Sequence, residues 1–153
     1  MDLHKRLSEL GLTLPAAPKP VAAYVPAVSS AGQIIISGQL PFADGKLLAV
    51  GAVPSAASIE QAARAARQCA LNALAVADAE LAGDWRRFVR ILRIGVFVAS
   101  DATFHEQPKV ANGASELLGE IFGDAGRHAR AAVGVNVLPL NASVEVEMTL
   151  AVS

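Results

Sequence analysis

The chain has 153 residues, 53% of them hydrophobic and only 18% charged, with a net charge of −1. That length fits one compact domain and can bury a core without staples, while the near-neutral balance excludes a global pull toward nucleic acid or an anionic membrane. The single cysteine, Cys69, excludes a disulfide within one chain, and no apolar run approaches the roughly 18 residues of a membrane span.

A charged share well under the usual quarter or so points to apolar surface hidden in an oligomer. One cysteine favours an intracellular, cytoplasmic setting. The opening "MDLHKRLSELGL" lacks the apolar centre of a secretory signal, and Asp2 and Glu9 argue against a transit peptide. It predicts a short amphipathic helix with Leu3, Leu7 and Leu10 on one face and Gly11 just past its end. "TLPAAPKPVAAY" follows, an extended connector because its three prolines remove donors and fix φ. Residues 1–20 are thus a helix and connector leading into a single domain that spans 1–153.

"VAAYVPAV" and "QIIISGQL" read as two strands around "SSAG", the first either an edge strand or a strand interrupted by Pro26. "FADGK" is a turn leading to a short strand near "KLLAV". "SIEQAARAARQCALNALAVADAELAG" is the clearest helix, with Ser58 and Gln61 as a capping box and Gly83 as its stop. "RFVRILRIGVFVAS" has the apolar character of a central strand on both faces. Strict alternation would set Phe88, Arg90, Leu92, Ile94, Val96 and Val98 against Val89, Ile91, Arg93, Gly95, Phe97 and Ala99. "DATFHEQPKVANGASELLGEIFG" predicts a helix with Pro108 in its first turn, closed by Gly123. "AAVGVNVL" and "SVEVEMTLAV" are strands, and "PLNA" between them predicts a hairpin.

The order is ββ(β)–α–β–α–ββ, an α+β fold. "IIISGQLPFADGKLLAV" and "AVGVNVLPLNASVEVEM" echo each other as strand, Leu-Pro, turn, strand. Two helices cover one face of such a sheet. The second face is expected to be buried against sister subunits.

The stretch from His128 to Val152 carries Arg130, Glu145 and Glu147 on an almost wholly apolar background. Alternation separates Val144, Val146 and Met148 from the two glutamates. A hairpin at "PLNA" would set Arg130 level with Glu147 or Thr149 and one pleat from Glu145, so that Arg130 and Glu145 line one small cleft. The alternative is a surface ion pair worth about 0–1 kcal/mol.

"YVPAV", "IIISGQLP", "RIGVFV", "NGASELLGEIFG", "ARAAVGVNVLP" and "VEVEM", in this order, make the chain similar to the Rid/YjgF family from about Tyr24 to Val152. The N-terminal helix and the expanded "GDAGRHAR" resemble a longer branch of it. The resemblance implies a chorismate-mutase-like single sheet with two helices on one face, assembled as a trimeric barrel with ligand sites between subunits. It implies a cofactor-independent hydrolysis of reactive 2-imino or enamine acids to 2-oxo acids and ammonia. Arg130 matches the arginine that grips the substrate carboxylate, and a guanidinium offers a planar fork suited to that role. Glu145 matches the glutamate that handles water. Tyr24, Ser37, Gly38, Asn112 and Ala132 match the rest of the substrate pocket. Ala132 stands where many relatives carry cysteine or serine, which removes thiol chemistry there. Ala22-Ala23 replace a Gly-Pro that often precedes the tyrosine.

Two other functions belong beside this one. The same trimer could hold or sense a small carboxylate metabolite without turnover. A ribonuclease or translation inhibitor, an activity also ascribed to the family, would bind RNA in a salt-sensitive way. Arg86, Arg87, Arg90 and Arg93 could serve it, but alternation sends Arg90 and Arg93 to opposite faces, and one tryptophan and one tyrosine make no stacking platform. Cys69 reads as a buried structural thiol. His4, His105 and His128 are scattered, so the sequence gives no metal site, and its glycines form no phosphate loop.

Overall fold

Ser58 starts the longest helix as its sequence dictates. In the computed structural model, described for residues 2–17 and 24–153, its side chain accepts from the Gln61 amide and the Gln61 side chain accepts from the Ser58 amide. This completed capping box opens α2 (Ile59–Glu80). Gly83, at φ +76, stands two residues beyond its Leu81 cap. At the N-terminus α1 (Leu3–Glu9) is capped by Asp2, and it buries Leu3 and Leu7 in the core, with Leu10 packed beside them. Pro18, Pro20 and the Ala22-Ala23 pair lie outside the described residues.

Five strands make the main sheet: β1 (Ala27–Ser30), β2 (Gln33–Gln39), β5 (Phe88–Ala99), β6 (Ala129–Val135) and β7 (Val144–Val152), in the order β1-β2-β7-β5-β6. β1 and β2 form a tight hairpin because Ala31 and Gly32 both take positive φ, the twist such two-residue turns need. The "FADGK" turn joins β3 (Phe42–Ala43) to β4 (Lys46–Leu47) in a ribbon of their own. The two Leu-Pro segments therefore diverge. The first leads to this small ribbon, the second to the nine-residue β7.

The expected hairpin between the last two strands does not form. β6 pairs in parallel with β5, and β7 pairs antiparallel with the other edge of β5, so β5 separates them. The reason lies in the chain order. β5, α3 (Gln107–Phe122) and β6 are a strand-helix-strand unit, whose helix carries the chain back to start a parallel strand. The "PLNA" turn then crosses the end of β5 rather than reversing beside β6. Its Leu140 and Asn141 take positive φ, and the Ala99 amide bonds to the Ser143 carbonyl. A twelve-residue strand with an apolar pattern on both faces needs a partner on each edge, and this arrangement supplies both.

Strict alternation in β5 is also broken. Its pairing with β7 shifts register between Phe88 and Arg90 and again between Ile91 and Arg93. Such bulges turn residues from one face to the other. Ile91 joins Ile94, Val96 and Val98 in the core. Arg90 and Arg93 come opposite Ala151 and Thr149, two residues apart on β7, and so share a face that alternation denied them.

α2 and α3 pack on each other and on one face of the sheet, with α2 over β2 and β7 and α3 over β5 and β6. Between the layers lie Ile34, Ile36, Ile94, Val96, Val146, Met148 and Leu150, all almost fully buried. The opposite face carries exposed Val28, Ile35 and Val133, half-buried Phe97 and Glu145, and the Arg93–Glu147 ion pair at 2.6 Å. Val28, Ile35 and Val133 thus stand uncovered on this face.

Candidate functional site

Arg130 enters near the start of the edge strand β6, in register with Ile94 of β5 and through it with Met148 of β7. Registered residues share a face, so Arg130 projects to the helix side. There its Nη1 donates to Asn112 Oδ1 at 3.0 Å and to Ser115 Oγ at 3.1 Å. Both acceptors come from α3, three residues apart and hence neighbours on one helix face. Gly113, between them, lets α3 lie close on α2: a Cβ there would meet the Ala63 carbonyl oxygen at 1.9 Å. Nε and Nη2 of Arg130 carry no hydrogen bond, and no carboxylate pairs with the guanidinium, among the described residues.

Ser115 also meets His128, its Oγ lying 3.0 Å from Nε2, while His128 Nδ1 lies 2.6 Å from the Gly126 carbonyl oxygen. Burial holds the imidazole below its ordinary pKa; the Gly126 bond opposes this and the nearby Arg130 charge adds to it. Ser115, Gly119, Gly126, Arg127, His128 and Arg130 line a hollow of about 270 Å³.

Glu145 belongs to a second group. On β7 it pairs with Phe97 and projects from the open face. Its carboxyl lies over Gly38 of β2, where a Cβ would come within 1.8 Å of Glu145 Oε1. No hydrogen bond reaches this carboxyl among the described residues, whereas Glu147, next on the same face, is held by Arg93. Burial, and then the Glu147 charge, raise the pKa of Glu145 above 4.5. Ser37, beside Gly38, donates from Oγ to the Val25 carbonyl at 2.8 Å and from its amide to Pro26, fixing the segment that carries the exposed Tyr24.

The seven expected site residues thus fall into two groups. Tyr24, Ser37, Gly38 and Glu145 lie around β2 and β7. Asn112, Arg130 and Ala132 lie along α3 and β6, with Ala132 on the same face as Arg130 and partly buried against the core. The single cleft expected for Arg130 and Glu145 is not formed within one chain. β5 stands between their strands, their registers differ by three residues, and they leave the sheet on opposite faces. The hairpin that would bring them together is absent, because β5 takes the place between β6 and β7.

Ser115 and His128 were not expected at the site, yet both had a signal. Ser115 is three residues after Asn112 in a predicted helix, and His128 is two before Arg130, just ahead of a predicted strand. Cys69 is buried, with its Sγ 3.8 Å from the Val144 carbonyl and its thiol pKa pushed up by burial, as befits a structural residue. Among the described residues no cluster of histidine, cysteine or carboxylates could hold a metal, and no helix is long and apolar enough to cross a membrane.

A mixed five-stranded sheet with two long helices on one face is the chorismate-mutase-like α+β architecture. Residues 4–151 match the family model described as "YjgF/chorismate_mutase-like, putative endoribonuclease", and the chain belongs to the YjgF family. It is 44% identical over 142 residues to protein TCP17 of Trypanosoma cruzi, covering 92% of this chain and 88% of that one. The crystal structure of Atu1372 from Agrobacterium tumefaciens is similar with a TM-score of 0.92 at 44% identity, over 99% of this chain and 92% of that one. A structure from Shewanella oneidensis MR-1, called a putative endoribonuclease, also has a TM-score of 0.92, at 33% identity over 99% of each chain.

Proposed function

We propose that the protein hydrolyses reactive 2-imino and enamine acids to 2-oxo acids and ammonia, at sites completed between neighbouring copies in a trimer. The observation that carries this reading is the pair of unfinished half-sites. Among the described residues, one holds a guanidinium with two donor nitrogens unused, the other a half-buried carboxyl without a hydrogen-bond partner. One chain cannot bring them together, and its open sheet face bears the apolar side chains that a second copy would cover.

In such a site Arg130 grips the substrate carboxylate by charged hydrogen bonds, each worth about 1.5–3 kcal/mol. Tyr24, Ser37 and Gly38 shape the opposite wall beside Glu145. The protonated C=N carbon is already electrophilic, so a placed water suffices as nucleophile. Glu145 takes a proton from that water as oxygen bonds to carbon, giving a neutral carbinolamine. The carboxyl returns the proton to nitrogen, the C–N bond breaks, and ammonia leaves as the carbonyl forms. The last proton passes from the hydroxyl to ammonia by way of the same carboxylate. A raised carboxyl pKa suits a group that must both accept and donate near neutrality.

The test is ammonia release from imines freshly generated by an amino-acid oxidase. Wild-type protein should accelerate it, and Arg130→Ala should abolish the acceleration while native mass spectrometry still finds three chains. An Arg130→Ala protein that turns over at the wild-type rate refutes the reading. Pyruvate binding without ammonia release would select the non-catalytic binder or sensor instead. A ribonuclease has less support, because Arg86, Arg90 and Arg93 are engaged with Asp84, the Arg127 carbonyl and Glu147.

A further inference from the structure

We infer that Ser115 and His128 are positioning residues for Arg130, a relay that fixes which edge of the guanidinium is offered to the carboxylate. The inference rests on the proposed carboxylate site and deepens it. Its logic is the direction of three hydrogen bonds. The Gly126 carbonyl can only accept, so the hydrogen in the 2.6 Å contact sits on His128 Nδ1. In the neutral imidazole Nε2 is then an acceptor, and the Ser115 hydroxyl donates to it over 3.0 Å. With its proton committed, Ser115 Oγ turns its lone pairs to Arg130 Nη1 at 3.1 Å. Asn112 takes the second hydrogen of the same nitrogen. Both protein bonds therefore fall on Nη1, leaving Nε and Nη2 as a pair of parallel donors for a bidentate carboxylate.

Protonating His128 would break this order. Nε2 would become a donor, Ser115 would have to accept from two cations at once, and its own hydrogen would lose its partner. The surroundings do not compensate for a second positive charge. Arg130 and Arg127 line the same hollow, and no carboxylate does. Asp124, on the turn before β6, is turned to Arg127 at 3.5 Å. Arg90 of β5 reaches the Arg127 carbonyl, and Glu116, beside Ser115 on α3, is exposed. The relay thus holds Arg130 when His128 is neutral and releases it in acid.

The experiment is calorimetric titration of the full-length protein with pyruvate, a 2-oxo acid of the proposed product class, from pH 5 to 8. Arg130→Ala and Ser115→Ala are compared with Ser115→Thr, which keeps a hydroxyl and controls for folding. Ser115→Ala should weaken binding at pH 7.5 by about tenfold or more, the worth of one charged hydrogen bond, with Ser115→Thr restoring most of it. In steady-state turnover the same loss should appear in KM rather than kcat. Wild-type affinity should fall in acid below the ordinary histidine range. His128→Gln, whose side-chain carbonyl still accepts from Ser115, should lose that fall, and His128→Ala should bind weakly at every pH. If Ser115→Ala and His128→Ala bind as wild type while Arg130→Ala does not, the relay is refuted and the carboxylate site stands. If wild type and Arg130→Ala behave alike, the carboxylate site itself is refuted and the relay with it.

Discussion

Replacing Gly38 by alanine separates the chemistry of Glu145 from the stability of the fold. The new Cβ would come 1.8 Å from Glu145 Oε1 and 2.8 Å from its Cδ. Ordinary contact begins near 3.4 Å, so the carboxyl must retreat by about 1.6 Å. The obstacle is the far end of a flexible side chain that makes no hydrogen bond among the described residues, and Gly38 does not need a positive φ. The fold should therefore lose no more than about 1 kcal/mol, as is usual for a change at an exposed site away from core and caps. The chemistry should suffer far more. A misplacement of about 1 Å in a reacting group can cost on the order of a hundredfold. The assay is ammonia release from oxidase-generated imines, beside a melting curve and pyruvate binding to show that the Arg130 half-site is intact. A Gly38→Ala protein that melts as wild type and also turns over as wild type would refute the role given to the carboxyl above Gly38.

Gly113→Ala should do the reverse. Its Cβ would meet the Ala63 carbonyl oxygen at 1.9 Å and the carbonyl carbon at 2.7 Å, main-chain atoms of α2 that cannot swing away. Overpacking of about 1–3 kcal/mol should outweigh alanine's helix preference of about 1 kcal/mol, and a melting curve should fall by several degrees. Glu145→Gln should abolish turnover without lowering the melting temperature at pH 7. A carboxyl whose folded pKa is raised adds stability in acid and loses it as pH rises through that pKa. The variant should thus be the more stable protein at neutral pH, a gap that closes in acid, and the acid limb of wild-type activity should lie above 4.5. Ser58→Ala removes the cap of α2 and should cost about 1 kcal/mol in denaturant unfolding, with activity kept at temperatures below the transition.

Much of the fold was legible because local signals agree with it. Ser58 with Gln61, Pro108 in a first helical turn and Gly123 at a helix end each announce a boundary by their own chemistry. The buried leucines of α1 follow from their spacing alone. What was not legible depends on pairing between distant segments. The PLNA turn looks like a hairpin loop, and only the competition of β6 and β7 for the two edges of β5 shows otherwise. Nor does periodicity reveal the bulges that put Ile91 in the core, since a bulge changes the phase and not the composition. The expected site residues fall into two groups, one around β2 and β7 and one along α3 and β6, with Ala132 set back against the core. Their division between two faces stayed hidden because alternation gives the faces of each strand and not their match between strands.

The most direct test of the central claim is a mixing experiment. Arg130→Ala and Glu145→Gln proteins, each inactive alone, are dissociated together in equal amounts and reassembled. If each site takes Arg130 from one copy and Glu145 from the next, about a quarter of the sites in a randomly mixed ring carry both intact, and ammonia release should recover to about that fraction of wild type. No recovery, from mixed assemblies confirmed by native mass spectrometry, would contradict a site shared between neighbouring copies.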